Sequence, residues 1–353
     1  MPTTALVTTA HGGLEVMALQ QRPLPVPGPG EVRVRMRAAA LNHLDLWVRR
    51  GIPAGHWPVP IVPCADGAGV IDAVGPGLPD IAHLRIGAAV VVYPVLSCGH
   101  CAQCRAAAPQ LCREFGLLGE HVDGCAQETR VLPAASVLPL PEPLTFVEAA
   151  AMPTTFITAW HMLARARLSP GETVLVHGAA SGVGSAGVQI AKLMGARVIA
   201  SVRRERDEAR ALQLGADRVV RTDDPEWAKH ARALSPGGVH VVFEHIGAPV
   251  WDGSIRALQR GGRLVTCGAT AGHDVALNLR KIFFHSIELI GSTMGTRAEL
   301  AQVLTLASRG ALQPVIGAVL PLARGAEAMA LLESRAVFGK VVLEIEPPVE
   351  PPG

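Results

Sequence analysis

Four cysteines within fifteen residues, Cys98-x2-Cys101-x2-Cys104-x7-Cys112, bring four thiolates within reach of one ion. Four sulfurs with no open coordination position describe a closed, tetrahedral, structural zinc site, one zinc ion per chain. An iron–sulfur cluster is the rival for any four-cysteine group, but the run lacks the Cys-Pro ending of bacterial ferredoxins. A second run, Gly178-Ala179-Ala180-Ser181-Gly182-Val183-Gly184, is a glycine-rich turn. Small residues at Ala179, Ser181, Gly182 and Gly184, with Val183 between them, let backbone N–H groups approach a pyrophosphate. About twenty residues on, an NAD site usually carries Asp or Glu to accept from the ribose 2′-hydroxyl. Here Ser201 and Val202 are followed by Arg203 and Arg204, and two guanidiniums suit the 2′-phosphate of NADPH. The alternative is that these arginines open a solvated helix with Glu205 and Asp207.

These groups need elements to hold them. Thr173-Val174-Leu175-Val176-His177 reads as a short apolar strand ahead of the glycine turn. A helix follows, with Val188, Ile190, Ala191 and Leu193 as its apolar positions and Gly195 as its stop. Strands at 198–202, 218–220, 241–243, 263–266 and 287–290, with helices between them, predict βαβ units and a parallel sheet. The first 150 residues read differently. Glu31 to Arg37 alternate apolar and charged with period two, and Ala88 to Tyr93 form a strand entering the cysteine run. Frequent Pro-Gly and Asp-Gly turns complete a β-barrel pattern. The end of the chain holds an amphipathic helix near 300–306, a strand at 341–344 and a proline-rich tail at 347–353, expected to be solvated.

Composition narrows the class. A chain of 353 residues exceeds what one core usually fills, so two domains are expected. A net charge of +2 gives no electrostatic case for nucleic acid or a membrane surface. The opening MPTTALVTTAHGG has no basic stretch followed by an apolar run, and no uncharged apolar run approaches the length of a membrane span. With a metal-like cysteine cluster, these features suggest a cytoplasmic protein with a small-molecule substrate. Seven cysteines cannot all pair, and Cys64, Cys125 and Cys267 read as buried small hydrophobes. Tyr93 is the only tyrosine, which excludes a tyrosine mechanism elsewhere.

The barrel-like first half, the cysteine lobe and the AASGVG turn together resemble the medium-chain dehydrogenase/reductase superfamily. LNHLDLWVRRG at 41–51, PCADGAGV at 63–70, EAAAMPTTFITAW at 148–160, GGRLVTCG at 261–268 and FGKVVL at 338–343 carry the likeness along the chain. The resemblance implies an α/β architecture: a GroES-like β-barrel catalytic domain plus a Rossmann, doubly wound parallel-sheet cofactor domain. The catalytic domain would take residues 1–155 and 295–353, with a zinc lobe about 95–115; the Rossmann domain would take 156–294. Zinc alcohol dehydrogenases of this superfamily hold a catalytic zinc through Cys, His and Cys. Those positions correspond here to Asn42, Ala65 and Thr154, none a thiol or imidazole, and only the following carboxylate persists, as Asp66. A zinc rebuilt on His43, Cys64 and Asp66 is the alternative.

Without a Lewis acid, a quinone or α,β-unsaturated carbonyl is the easier hydride acceptor, because its charge spreads onto an oxygen that donors can stabilise. Asn42 is the candidate donor, and Asp45 the candidate to orient it or relay a proton; Asn42 could instead cap the turn it starts. By resemblance His43 contacts the cofactor pyrophosphate, Thr158, His245, Gly268, Ala269 and Met294 line the nicotinamide, and Lys340 meets the phosphates. Trp47 and Trp57 are candidates to flank the substrate. Pro53 stands where some enoyl-reducing relatives place a tyrosine donor, which leaves Asp45, His43 or water as the proton source. The segment 287–293 resembles one through which relatives pair their sheets, so a homodimer, or a dimer of dimers, is expected. An alcohol or aldehyde dehydrogenase and a low-turnover NADPH-binding protein are the competing functions.

Overall fold

The structure, a computed structural model, describes residues 2–51 and 57–346. Pro53 and the tail 347–353 lie outside the described residues. The chain divides into two compact units, Met1–Thr154 with Thr296–Gly353, and Thr155–Gly295.

In the first unit the period-two segment is the strand Glu31–Ala40. Val32, Val34, Met36 and Ala38 are fully buried, while Arg33 on the other face is tied to Asp72 at 2.7 Å. Alternation ends at Ala38-Ala39-Ala40, where both faces are covered. Glu31–Ala40 belongs to a seven-stranded sheet that runs Ile316–Pro321, Lys340–Glu344, Glu31–Ala40, Asp66–Val74, Ala89–Val92, Val137–Pro139, with Thr129–Pro133 also paired to Glu31–Ala40. All its pairings are antiparallel except that between Ile316–Pro321 and Lys340–Glu344. Register places the site. Ala40 lies opposite Asp66 on one side and Val342 on the other, so Asn42, Asp66 and Lys340 converge at one end of three neighbouring strands.

The second unit is a six-stranded parallel sheet, ordered Arg218–Arg221, Arg197–Val202, Thr173–Val176, Val239–Glu244, Leu258–Thr266, Glu288–Gly291. Val174, Leu175, Val176, Val241, Val242 and Phe243 are fully buried, as the central strands of a two-sided sheet must be. The helix after the glycine turn spans Gly182–Leu193. It buries Val188, Ile190 and Ala191, but Leu193 in its last turn is 44% exposed, so the apolar face is one residue shorter than its spacing suggests. Among the described residues no helix is long and apolar enough to cross a membrane.

Candidate active site

Asn42 immediately precedes the helix His43–Arg50, and its N–H donates to Asp45 Oδ2 at 2.7 Å. Asp45 Oδ1 accepts the N–H of Cys64 at 2.7 Å. Both oxygens of this buried carboxylate are therefore held by backbone, and burial raises its pKa to about 6. Asp45 thus holds the Asn42 backbone at the start of the helix. Each Asp45 oxygen keeps a further lone pair after these bonds, but the residue is 2% exposed, so any relayed proton would have to reach it from within the protein.

The Asn42 side chain, which shares a capping box with Asp45 at the helix start, also reaches beyond its helix. Its Nδ2 donates to Asp66 Oδ2 at 2.8 Å, and its Oδ1 accepts from Lys340 Nζ at 2.6 Å. The amide orientation is forced by these partners, since a carboxylate only accepts and an ammonium only donates. Lys340 Nζ also donates to Asp66 Oδ2 at 3.1 Å, and Thr154 gives Asp66 Oδ1 both its N–H, at 2.9 Å, and its hydroxyl, at 2.6 Å. Asp66 thus accepts four hydrogen bonds, which fills the lone-pair directions of a carboxylate. The ion pair is deeply buried, with side-chain exposures of 5% for Lys340 and 0% for Asp66. A charge this far from water survives only when paired and hydrogen-bonded, and each partner here meets that condition.

Asn42 and Thr154, two of the three positions assigned by resemblance to a catalytic zinc, are joined through Asp66, and Ala65 is buried beside them. These residues do not fit a zinc ion: an amide, a methyl and a hydroxyl supply no strong ligand, and the carboxylate is already saturated. His43, Cys64 and Asp66 form no ligand group among the described residues either. Cys64 is fully buried, and burial pushes its thiol well above the usual range. His43 begins the helix, its ring edge-on to Trp47 at 5.4 Å.

The cysteine lobe does fit a metal. Its four sulfurs lie within 4.8 Å of one another. Cys98 to Cys112 is 3.5 Å, Cys101 to Cys112 3.8 Å and Cys98 to Cys104 3.9 Å. Tetrahedral coordination with Zn–S bonds of about 2.3 Å requires sulfurs about 3.8 Å apart. The N–H of Cys104 points at Cys101 Sγ and holds that thiol down to about 6, ready to ligate as thiolate.

In the second unit the glycine turn is shaped for close approach. A Cβ on Gly184 would lie 2.1 Å from the carbonyl oxygen of Gly178, so only glycine closes this turn. Ser181 caps the helix through its hydroxyl, which accepts from the N–H of Gly184 at 3.0 Å. The N–H groups of Gly182 and Val183 have no partner among the described residues, and they sit at the helix N-terminus, where an anion is favoured. The residues therefore fit a dinucleotide pyrophosphate. The N–H of Ala179 is bonded to the carbonyl of Ser201 at 2.9 Å.

Ser201 is likewise turned away from a ribose phosphate. It is fully buried, its hydroxyl 2.9 Å from His177 Nδ1 and accepting the Gly178 N–H at 3.3 Å. Its alternation on the strand Arg197–Val202 points it into the unit, so it braces the turn from beneath. Arg203 is exposed, and Arg204 pairs with Asp207 at 2.8 Å, as the solvated-helix alternative anticipated. His245 Nε2 is 2.9 Å from the His177 carbonyl, with Gly268 and Ala269 alongside at the carboxyl ends of the central strands. Thr158 donates to the Met294 sulfur at 3.7 Å, which brings that pair together separately. One residue carried no motif: Glu120, 8% exposed in the turn after the zinc lobe. Nothing in its spacing marks it, because its neighbours come from distant segments.

Comparison with known proteins agrees in outline. The family described as zinc-binding dehydrogenase matches residues 182–309, and the alcohol dehydrogenase GroES-like domain matches residues 28–142. An alcohol dehydrogenase of Geobacillus stearothermophilus is 31% identical over 318 residues, covering 88% of this chain and 90% of its own. A crystal structure of an NAD-dependent alcohol dehydrogenase superposes with a TM-score of 0.93 at 46% identity, covering 97% of this chain and 100% of that one. A crotonyl-CoA carboxylase/reductase of Cereibacter sphaeroides is 28% identical over 319 residues, covering 81% of this chain and 73% of its own.

Proposed function

The chain belongs to the zinc-type, alcohol dehydrogenase-like group of the medium-chain dehydrogenase/reductase superfamily and is an NAD(P)-dependent oxidoreductase, and on that premise we propose that it reduces a conjugated carbonyl, a quinone or enone, with NADPH and without a catalytic zinc. The observation that carries this reading is the Asn42–Asp66–Thr154–Lys340 network, which occupies with its own hydrogen bonds the positions the superfamily gives to zinc ligands.

When bound, the reduced nicotinamide supplies the hydride. Asn42 binds the acceptor oxygen. Its Nδ2 carries two N–H bonds; one is given to Asp66, which leaves the other for a substrate. Lys340 on Oδ1 polarises the amide and makes that N–H a better donor. A single well-placed donor of this kind stabilises developing oxyanion charge by about 3–4 kcal/mol. That suits an acceptor whose charge is already delocalised better than an isolated ketone, for which a metal would supply several kcal/mol more.

Arg203 supports NADPH as the partner nucleotide, the Gly182–Gly184 turn the pyrophosphate, and the sulfur geometry of Cys98, Cys101, Cys104 and Cys112 one structural zinc. The residues at 1–155 and 295–353 would then be the catalytic domain and 156–294 the cofactor domain of a cytoplasmic enzyme. A homodimer is supported by the strand Glu288–Gly291, which among the described residues pairs on one side only, and by Leu279, Phe283 and Phe284, which are exposed nearby.

The 46% identity to an NAD-dependent alcohol dehydrogenase favours a second reading, alcohol oxidation with NAD. Zinc stoichiometry, together with rates for quinones, enones, aldehydes and alcohols on both nucleotides, decides between them. The proposal expects about one zinc per chain and NADPH oxidation by a conjugated acceptor. Two zinc ions with NAD-linked alcohol oxidation would overturn it.

A further inference from the structure

The turn that carries Glu120 is fastened beside the oxyanion-binding residues. Leu118 and Val122 bridge across it, and Gly119 donates its N–H to the Val122 carbonyl at 2.8 Å. The chain then runs along Val62–Cys64: Gly124 donates to Val62 at 2.7 Å, Cys125 to Cys64 at 2.7 Å and Ala126 to Pro63 at 3.1 Å. Asp123 Oδ1 accepts the Val62 N–H at 2.8 Å. The packing is tight enough that a Cβ on Gly119 would lie 3.1 Å from the Cys64 backbone and 3.2 Å from the Ala65 nitrogen. Glu120 is therefore held against the segment that leads into Asp66.

Its carboxyl is poorly partnered for its depth. The side chain is 10% exposed and accepts no hydrogen bond among the described residues. His121 Nδ1 approaches to 3.6 Å, but that nitrogen already accepts the Leu117 N–H at 3.2 Å, so in the neutral ring it has no proton to give. The other charged group facing it is Asp45, of the same sign, and the neighbouring thiols Cys64 and Cys125 stay protonated. A buried carboxylate without donors and beside another carboxylate is unfavourable, while the acid form is not.

We propose that Glu120 is the proton donor of the reduction, an assignment that rests on the reductase reading above. Hydride arriving at the β-carbon of an enone forms the new C–H bond, and the π pair moves to the carbonyl oxygen, held by Asn42. Glu120 gives its carboxyl proton to the α-carbon, or to the oxygen of a quinone, and is left as carboxylate. Solvent returns the proton. The acceptor gains one hydride and one proton, and the nicotinamide is oxidised. Burial first, and Asp45 second, raise the pKa of Glu120 to about 7, which suits a donor that must be both loaded and willing near neutral pH.

The test compares the zinc-loaded wild type with Glu120→Gln and Glu120→Asp, using benzoquinone, cyclohexenone and crotonaldehyde. Wild-type turnover should fall as pH rises through about 7, because the acid form is the active one. Glu120→Gln should lose about 100-fold in kcat and lose that pH limb, with NADPH affinity and melting temperature retained; Glu120→Asp should restore the limb and part of the rate. Infrared difference spectra of wild type against Glu120→Gln should show a carboxylic acid band titrating near pH 7, independently of turnover. A carboxylate ionised throughout from about pH 5, or full kcat in Glu120→Gln, overturns the assignment alone. Wild type that oxidises NADPH with none of the acceptors overturns the reductase reading, and the assignment with it.

Discussion

In the proposed reduction the chemistry turns on Asn42 and Lys340, which hold each other. Lys340 was expected from the resemblance to meet cofactor phosphates, whereas its ammonium is engaged by Asn42 Oδ1 and Asp66 Oδ2. The two roles predict different kinetics. If Lys340 polarises the Asn42 amide, Lys340→Met should lower kcat about 100-fold and leave NADPH affinity unchanged. If it grips phosphates, NADPH affinity should weaken instead, which direct binding measurements would reveal. The same substitution strands the buried Asp66 carboxylate, at a cost of about 3–5 kcal/mol of stability. Pairing it with Asp66→Asn removes both charges, and that double variant should regain most of the melting temperature but not the rate. His177 shows the same logic in reverse. Burial, with a further push from His245, lowers its pKa to about 3, so it is neutral and serves to position Ser201 and Ser254.

Among elements, the cysteine lobe and the glycine turn are the most self-contained. The lobe is built on a short helix, Ala102–Arg105, which carries Cys104 and is preceded by Cys101, and a helical turn, Pro109–Leu111, followed by Cys112; these short elements have little apolar surface to bury. A metal is the natural source of their stability. Cys104→Ser should reduce zinc from about one per chain to none, and lower the melting temperature by about 5 °C or more, read by metal analysis and calorimetry. Retention of a full zinc in that variant would argue against the four-sulfur site. The turn before the helix Gly182–Leu193 depends instead on space, since any side chain at Gly184 would meet the Gly178 carbonyl. Its two N–H groups without a partner among the described residues would be the element's contribution to binding.

At the scale of the whole molecule, the sheet edge Glu288–Gly291 and the exposed Leu279, Phe283, Phe284 and Leu289 form the largest cue to assembly. Light scattering should give twice the chain mass, and Phe283→Asp with Phe284→Asp should give one; a monomeric wild type would refute the pairing. What the amino-acid sequence determined by itself was whatever is local or periodic. The four-cysteine cluster was legible because all four thiols fall within Cys98–Cys112, and the glycine turn because strand, glycines and helix are consecutive. The alternation at Glu31–Ala40 and the βα rhythm likewise state their own geometry. The proposed reaction centre exists only in the tertiary structure. Asn42, Asp66, Thr154 and Lys340 stand up to 298 residues apart; the register of three strands brings Asn42, Asp66 and Lys340 together, and the start of the helix Pro153–Arg165 adds Thr154. The tertiary structure also engages the Ser201 hydroxyl and the Ala179 N–H within the protein, and it buries Glu120 through segments far from it in sequence. Local spacing specifies which groups are available; desolvation and partnership, which fix their protonation and their role, are properties of the packed chain.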